Sequence, residues 1–93
     1  MIIVTVHSKT KPEYTGQYVK EFDKVALEVR AEDGCLEYEL YQCADDGAGF
    51  FLFERWESKE DLDAHLKTTH MIGFLAKTAD WFESKDIKVY TIQ

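Results

Sequence analysis

Hydrophobic and polar positions alternate with a period of two at the start of the chain, then lengthen to a period near four. Ile2 to His7 is rich in β-branched residues and alternates weakly, which predicts a strand. Lys9 to Pro12 is a break, and Pro12 suits a helix entry. From about Glu13, residues Tyr14, Tyr18, Phe22, Val25 and Val29 fall on one helical face, opposite Gln17, Lys20, Glu21, Lys24 and Glu28. Lys24 and Glu28 are spaced to pair at i, i+4. Asp33-Gly34 ends the helix, with Gly34 suited to the left-handed conformation.

Alternation returns over Cys35–Cys43, with Leu36, Tyr38 and Leu40 on one side and Glu37, Glu39 and Tyr41 on the other. Ala44 to Gly49 reads as a hairpin loop. The next strand, Phe50 to Glu57, opens with four apolar residues, so it has no polar face at its start. A half-covered strand alternates, so both faces of this one should be covered. Ser58 to Asp61 fits the S-x-x-D capping pattern of a helix start, with Leu62, His65 and Leu66 inside. Thr68-Thr69 either breaks that helix or caps a second one carrying Met71, Phe74, Leu75, Thr78 and Trp81 or Phe82. Ile87 to Ile92 is the last strand.

The order is β-α-β-β-α-β, that of a ferredoxin-like split βαβ fold: an α+β domain with an antiparallel sheet and helices on one face. Residues 1–93 form a single domain. The apolar doublets of strand 50–57 require a cover for the outer sheet face, and a second copy packed sheet to sheet is the simplest one. The expected assembly is a homodimer, an α/β barrel of eight strands.

Composition adjusts this picture in three places. Aromatic residues make up 14% of the chain, a generous supply for a domain whose monomer should be marginal, which suggests apolar surface kept for a partner or ligand. The net charge of -7 opposes nucleic-acid binding. The acidic residues are scattered, as in a solvated surface. No run approaches the roughly 20 apolar residues of a membrane span, and no targeting segment is visible. Cys35 and Cys43, on one strand, would lie about 26 Å apart at ~3.3 Å per residue, too far to bridge. Two unpaired thiols suit a reducing cytoplasm.

Candidate chemistry centres on His65, the one imidazole on the inner face of a predicted helix, able to take a proton near neutral pH. A structural histidine satisfied by one hydrogen bond is the alternative. His70 sits at a helix start, and its i+5 spacing from His65 does not match the zinc motif HExxH, so no metal cluster is expected. His7 ends the first strand and could reach a pocket mouth. Trp56 and Tyr41 could stack on a flat ligand or simply pack. Glu54 shares a strand face with Trp56, and Arg55 opposes them. There is no GxGxxG, no P-loop and no G-x-S-x-G elbow, so nucleotide cofactors lack a site.

Three segments carry a family resemblance: EDGCLEYEL (Glu32–Leu40), F-x-x-x-E-x-W (Phe50, Glu54, Trp56) and A-H-L-x-T-x-H-M (Ala64–Met71). Together they resemble the antibiotic biosynthesis monooxygenase domain over nearly the whole chain. The resemblance implies a dimeric ferredoxin-like α+β barrel with a pocket between helices and sheet, which His65 and Trp56 belong to or border. It spans cofactor-independent monooxygenases of polycyclic phenols, quinol monooxygenases, haem-degrading enzymes and an enzyme processing a phosphorylated quorum-sensing signal. Haem-degrading relatives carry an asparagine near the end of the first strand, a helix tryptophan and a ligating histidine. Here His7, His65 and Leu75 stand near those places, which argues against haem degradation.

The leading expectation is a monooxygenase without metal, flavin or other cofactor, acting on a small phenolic, quinol or polyketide-like substrate and dioxygen. His65 is its catalytic base, and Trp56, His7, Tyr41, His70 and Glu54 are its substrate-binding residues. The alternatives are an isomerase or degrading enzyme for a small carbonyl or signal metabolite, and a non-catalytic dimeric ligand-binding module. Fold alone does not choose among them.

Overall fold

The computed structural model describes residues 1–93. Strand β1 (Ile2–Thr10) leads through a single 3-10 turn (Pro12–Tyr14) into helix α1 (Thr15–Arg30). Strands β2 (Cys35–Cys43) and β3 (Asp46–Trp56) form a hairpin. Helices α2 (Lys59–Leu66) and α3 (Thr69–Thr78) follow, and β4 (Phe82–Thr91) closes the chain. The strands run antiparallel in the order β2-β3-β1-β4, the ferredoxin-like arrangement.

Three strands are longer than their side-chain pattern predicts. β1 continues past His7 because Ser8 and Thr10 keep the inward alternation while being polar; Thr10 is fully buried, and its hydroxyl lies 2.7 Å from that of Thr15. β3 begins at Asp46, so the connection is a two-residue turn at Ala44-Asp45 in place of a six-residue loop. β4 begins at Phe82 and not at Ile87, because Glu83 to Asp86 lie on an exposed edge strand that needs no apolar face. Backbone ladder bonds, blind to side-chain polarity, extend all three.

Helix α1 buries Tyr18, Phe22, Val25, Ala26 and Val29. Lys24 pairs with Glu21 at 3.6 Å and not with Glu28, whose carboxylate turns toward His70. Gly34 has φ 78°, and an added Cβ would overlap the Asp61 carboxylate, so the turn after α1 requires glycine. Ser58 caps α2: its hydroxyl accepts from the Asp61 amide at 3.2 Å and donates to the Asp61 carboxylate at 2.9 Å. Thr68 decides the question left open by the sequence, because it caps a second helix, accepting from the Met71 amide at 3.3 Å.

The core lies between the helices and one sheet face. Ile2 and Val4 of β1, Leu52 and Trp56 of β3 and Tyr38 of β2 meet Phe22, Val25, Val29, Leu62 and Met71. The opposite sheet face carries Ile3, Thr5, Phe51, Phe53 and Arg55, all half-buried. Exposed Tyr41 and Tyr90 flank them. Arg55 Nε meets Glu37 at 2.6 Å on that face, a half-buried cross-strand pair. Arg30 donates to the Tyr38 carbonyl at 3.0 and 2.8 Å, occupying an acceptor of edge strand β2. Both cysteines are unpaired. No helix is long and apolar enough to cross a membrane.

Candidate active site

A cavity of about 220 Å³ opens between the helices and the inner sheet face. Its walls are apolar: Val4 and Val6 of β1, Leu52 of β3, Leu62 and Leu66 of α2, Met71, Phe74 and Leu75 of α3, and Phe82, Ile87 and Val89 of β4. The polar side chains on this wall are Tyr18, Tyr38, Glu54, His65 and Lys85. An apolar hollow with a few convergent polar groups is the usual form of a small-molecule site. Its volume lies below the ~300 Å³ at which drug-sized pockets begin, so it suits a small ligand.

His65 reaches the cavity because α2 places Leu62 and His65 on one turn facing inward. Its Nδ1 lies 2.9 and 3.1 Å from the two carboxylate oxygens of Glu32, so Nδ1 carries the proton and donates it. Nε2 is then a bare acceptor without a protein partner. No fully enclosed side-chain nitrogen or oxygen is left unpartnered, so Nε2 opens to the cavity. Burial lowers the His65 pKa, and this outweighs the upward pull of the Glu32 hydrogen bond and charge. The ring is therefore neutral at neutral pH, the state a base requires.

Glu54 accepts a hydrogen bond from Trp56 Nε1 at 2.9 Å through Oε1, which leaves Oε2 to face the cavity. Burial pushes its pKa up to about 7 against the lowering effect of the Trp56 bond, and the Glu32 charge adds to the rise. It stands near half protonation at neutral pH. The hydroxyls of Tyr18 and Tyr38 also lack protein partners and face the cavity. Burial, then the Glu54 charge, pushes Tyr18 up to about 12 and raises Tyr38 as well, so both stay protonated. Lys85 sits 4.2 Å over the Phe82 ring at the cavity wall, and burial lowers its pKa.

Of the six residues singled out by sequence, Glu54 and His65 line the cavity. Trp56 is completely buried and lies behind the wall, with its ring centroid 4.5 Å from that of His65; it orients Glu54 and His65 without reaching the cavity. His70 lines a separate polar hollow with Glu21, Lys24, Glu28 and Lys77. His7 and Tyr41 lie on the outer sheet face, flanking Phe51 at 4.8 and 6.4 Å between ring centroids. Odd-numbered β1 residues point outward, which turns His7 away from the cavity. Sequence reasoning missed Glu32, Tyr18, Tyr38 and Lys85. Glu32 opens the motif Glu32–Leu40, the one signal that could have marked it.

A four-stranded antiparallel sheet backed by helices, with an apolar cavity holding a carboxylate-bound imidazole, defines a small α+β domain built around a ligand pocket. The chain belongs to the antibiotic biosynthesis monooxygenase family, whose model matches residues 1–77. It is 30% identical over 77 residues to “Putative monooxygenase YcnE” of Bacillus subtilis, covering 83% of this chain and 81% of that one. It is 40% identical over 58 residues to “Putative monooxygenase Rv0793” of Mycobacterium tuberculosis, covering 62% of this chain and 56% of that one. The solved structure of Rv0793 superposes with a TM-score of 0.90 at 28% identity, over 99% of this chain and 94% of that one. A “Putative antibiotic biosynthesis monooxygenase from Nitrosomonas europaea” superposes with a TM-score of 0.92 at 25% identity, over 99% and 98% of the two chains.

Proposed function

We propose that this protein is a monooxygenase of a small phenol or quinol that uses dioxygen directly, with His65 as the base. The observation that carries the reading is the bare Nε2 of a neutral imidazole, fixed by Glu32 and open to a mostly apolar cavity. The family and the names of its relatives agree with it. An anthrone-type phenol illustrates the chemistry. His65 Nε2 takes a proton from the substrate, leaving an electron-rich carbanion delocalised over the ring. Two electrons pass from that carbon to dioxygen as a C–O bond forms. The resulting peroxide is protonated by the imidazolium. His65, neutral again, takes the remaining C–H proton as the O–O bond breaks, leaving a ketone and hydroxide; Glu54 in its protonated state supplies the proton that makes water, and the proton held by His65 restores it. The apolar wall keeps water from the carbanion.

Oxygen-electrode measurements with anthrone-type phenols and hydroquinones test the reading. Uptake well above the autoxidation rate is expected. Uptake at the autoxidation rate across the panel would overturn it, and turnover without oxygen would point to an isomerase using the same two groups.

The reading includes a second copy of the chain. Ile3, Phe51 and Phe53 on the sheet face away from the helices support it, because a partner sheet would remove them from water. Light scattering at micromolar concentration should give twice the single-chain mass; a monomer would contradict it.

A further inference from the structure

One cation lines the cavity at the end away from His65, and no acid of the chain pairs with it. Lys85 lies on edge strand β4, opposite Ser8 of β1. Ile87 and Val89, the next residues on the same face of β4, line the cavity with it. The lysine side chain folds back so that its amine lies 4.2 Å above the ring of Phe82, another wall residue. No carboxylate comes within ion-pairing distance of that amine. Asp86 turns to the outer sheet face, where it meets Lys88 at 3.9 Å. Burial alone lowers the Lys85 pKa, with no carboxylate charge acting against it. A lysine normally carries its amine out into water, so holding it against an apolar wall gives up hydration that an anion would repay. The acid-base groups stand at the opposite end. Glu54 and Tyr38 are level with Val4 of β1, and His65 packs against Tyr38 and Trp56. Val4 and Ser8 are four residues apart, about 13 Å at ~3.3 Å per residue.

We propose that Lys85 is a carboxylate-binding subsite of the cavity, and that the substrate is a hydroxylated two-ring aromatic acid with its hydroxyl at His65 and its carboxylate at Lys85. One cation matches the single charge of a carboxylate, whereas a phosphate dianion would leave a charge unpaired. Val6, Leu52, Phe74 and Ile87 offer apolar surface to the rings between the two ends. A single ring would leave one end unmet. The apolar wall lowers the local dielectric, which strengthens the ion pair over its value in water. The net charge of -7 repels anions at long range, so the preference comes from the contact itself and not from steering. Lys85 moves no proton or electron; it selects and orients. The placing of the hydroxyl rests on the reading of His65 as the base, and the subsite does not.

The test is calorimetric titration under nitrogen, where no oxygen is available for turnover. The probes are 6-hydroxy-2-naphthoic acid and its carboxamide, which has the same shape without the charge. The wild type should bind the acid about tenfold or more tightly than the amide, the effect of one charge-assisted hydrogen bond. Lys85→Met keeps the bulk of the stem and sits on an exposed strand, so the fold should survive. It should weaken the acid by that same factor and leave the amide unchanged. Equal binding of acid and amide by the wild type, or no binding of the acid at millimolar concentration, would overturn the subsite. So would a preference that survives in Lys85→Met, or a loss shared equally by both probes, which would mark Lys85 as a packing residue. Oxygen uptake separates this inference from the reading it extends. A Lys85-dependent preference in a protein that consumes no oxygen keeps the subsite and removes the monooxygenase reading. Uptake with hydroquinones by a protein indifferent to the carboxylate does the reverse.

Discussion

His65→Gln is expected to lower the rate of oxygen uptake by about 10²- to 10⁴-fold, the usual contribution of a positioned general base. Glutamine spans much of the imidazole's length and can still donate to Glu32, so the wall keeps its shape. What disappears is the bare nitrogen aimed at the cavity. His65→Ala should lose a similar factor and some stability as well, because it leaves a hollow between Tyr38 and Trp56, whose rings now pack against the imidazole. The loss should fall mainly on kcat, since the apolar wall that holds the substrate is unchanged. Steady-state oxygen consumption by the two variants checks this. Full activity in His65→Gln would mean that another group, with Glu54 the nearest in chemistry, takes the proton.

Glu54→Gln is expected to stabilise the protein at alkaline pH and to do little at acid pH. The side chain is 6% exposed, and burial raises its pKa from 4.5 in the open chain to about 7. A carboxyl with a raised folded pKa favours folding fully below its unfolded value. That contribution is lost as pH climbs through the folded value, because the unfolded chain ionises first. The window is therefore pH 4.5 to about 7. At 1.36 kcal/mol per unit the wild type forfeits roughly 3 kcal/mol across it. Glutamine does not ionise, and its carbonyl can keep the hydrogen bond from Trp56 Nε1. The variant should match the wild type near pH 4 and exceed it by roughly 3 kcal/mol at pH 8, a rise in Tm of roughly 10 °C or more for a domain of this size. His65 works in the opposite direction, since its lowered pKa costs stability as pH falls below its ordinary value. Comparing variant with wild type at each pH removes that contribution to first order. Thermal unfolding followed by circular dichroism at fixed protein concentration checks the prediction. A difference independent of pH would show that Glu54 is not a buried acid.

Element order was legible in the residues, because the change of period at Glu13, the turn at Gly34 and the cap at Ser58 each leave a local mark. Strand ends were not, because Ser8, Thr10 and the residues after Phe82 pair through the backbone while their side chains give no period. Glu54 was legible as a charge inside an apolar strand, and His65 as an imidazole on an apolar helix face. Trp56 was misplaced because a large aromatic beside them looks the same in sequence whether it lines a wall or backs it. Glu32 was the hardest to see. It lies past the end of α1, outside any helical period, and meets His65 and His70 only once the break at Thr68 has turned both rings toward it.

The most direct measurement follows both atoms of dioxygen. Protein incubated under 18O₂ with an anthrone-type phenol should consume one dioxygen per substrate, placing one labelled atom in the new carbonyl and the other in water. The label should be lost, with the turnover, in His65→Gln. A product without label, or a phenol that binds and leaves unchanged with no oxygen consumed, would contradict the account.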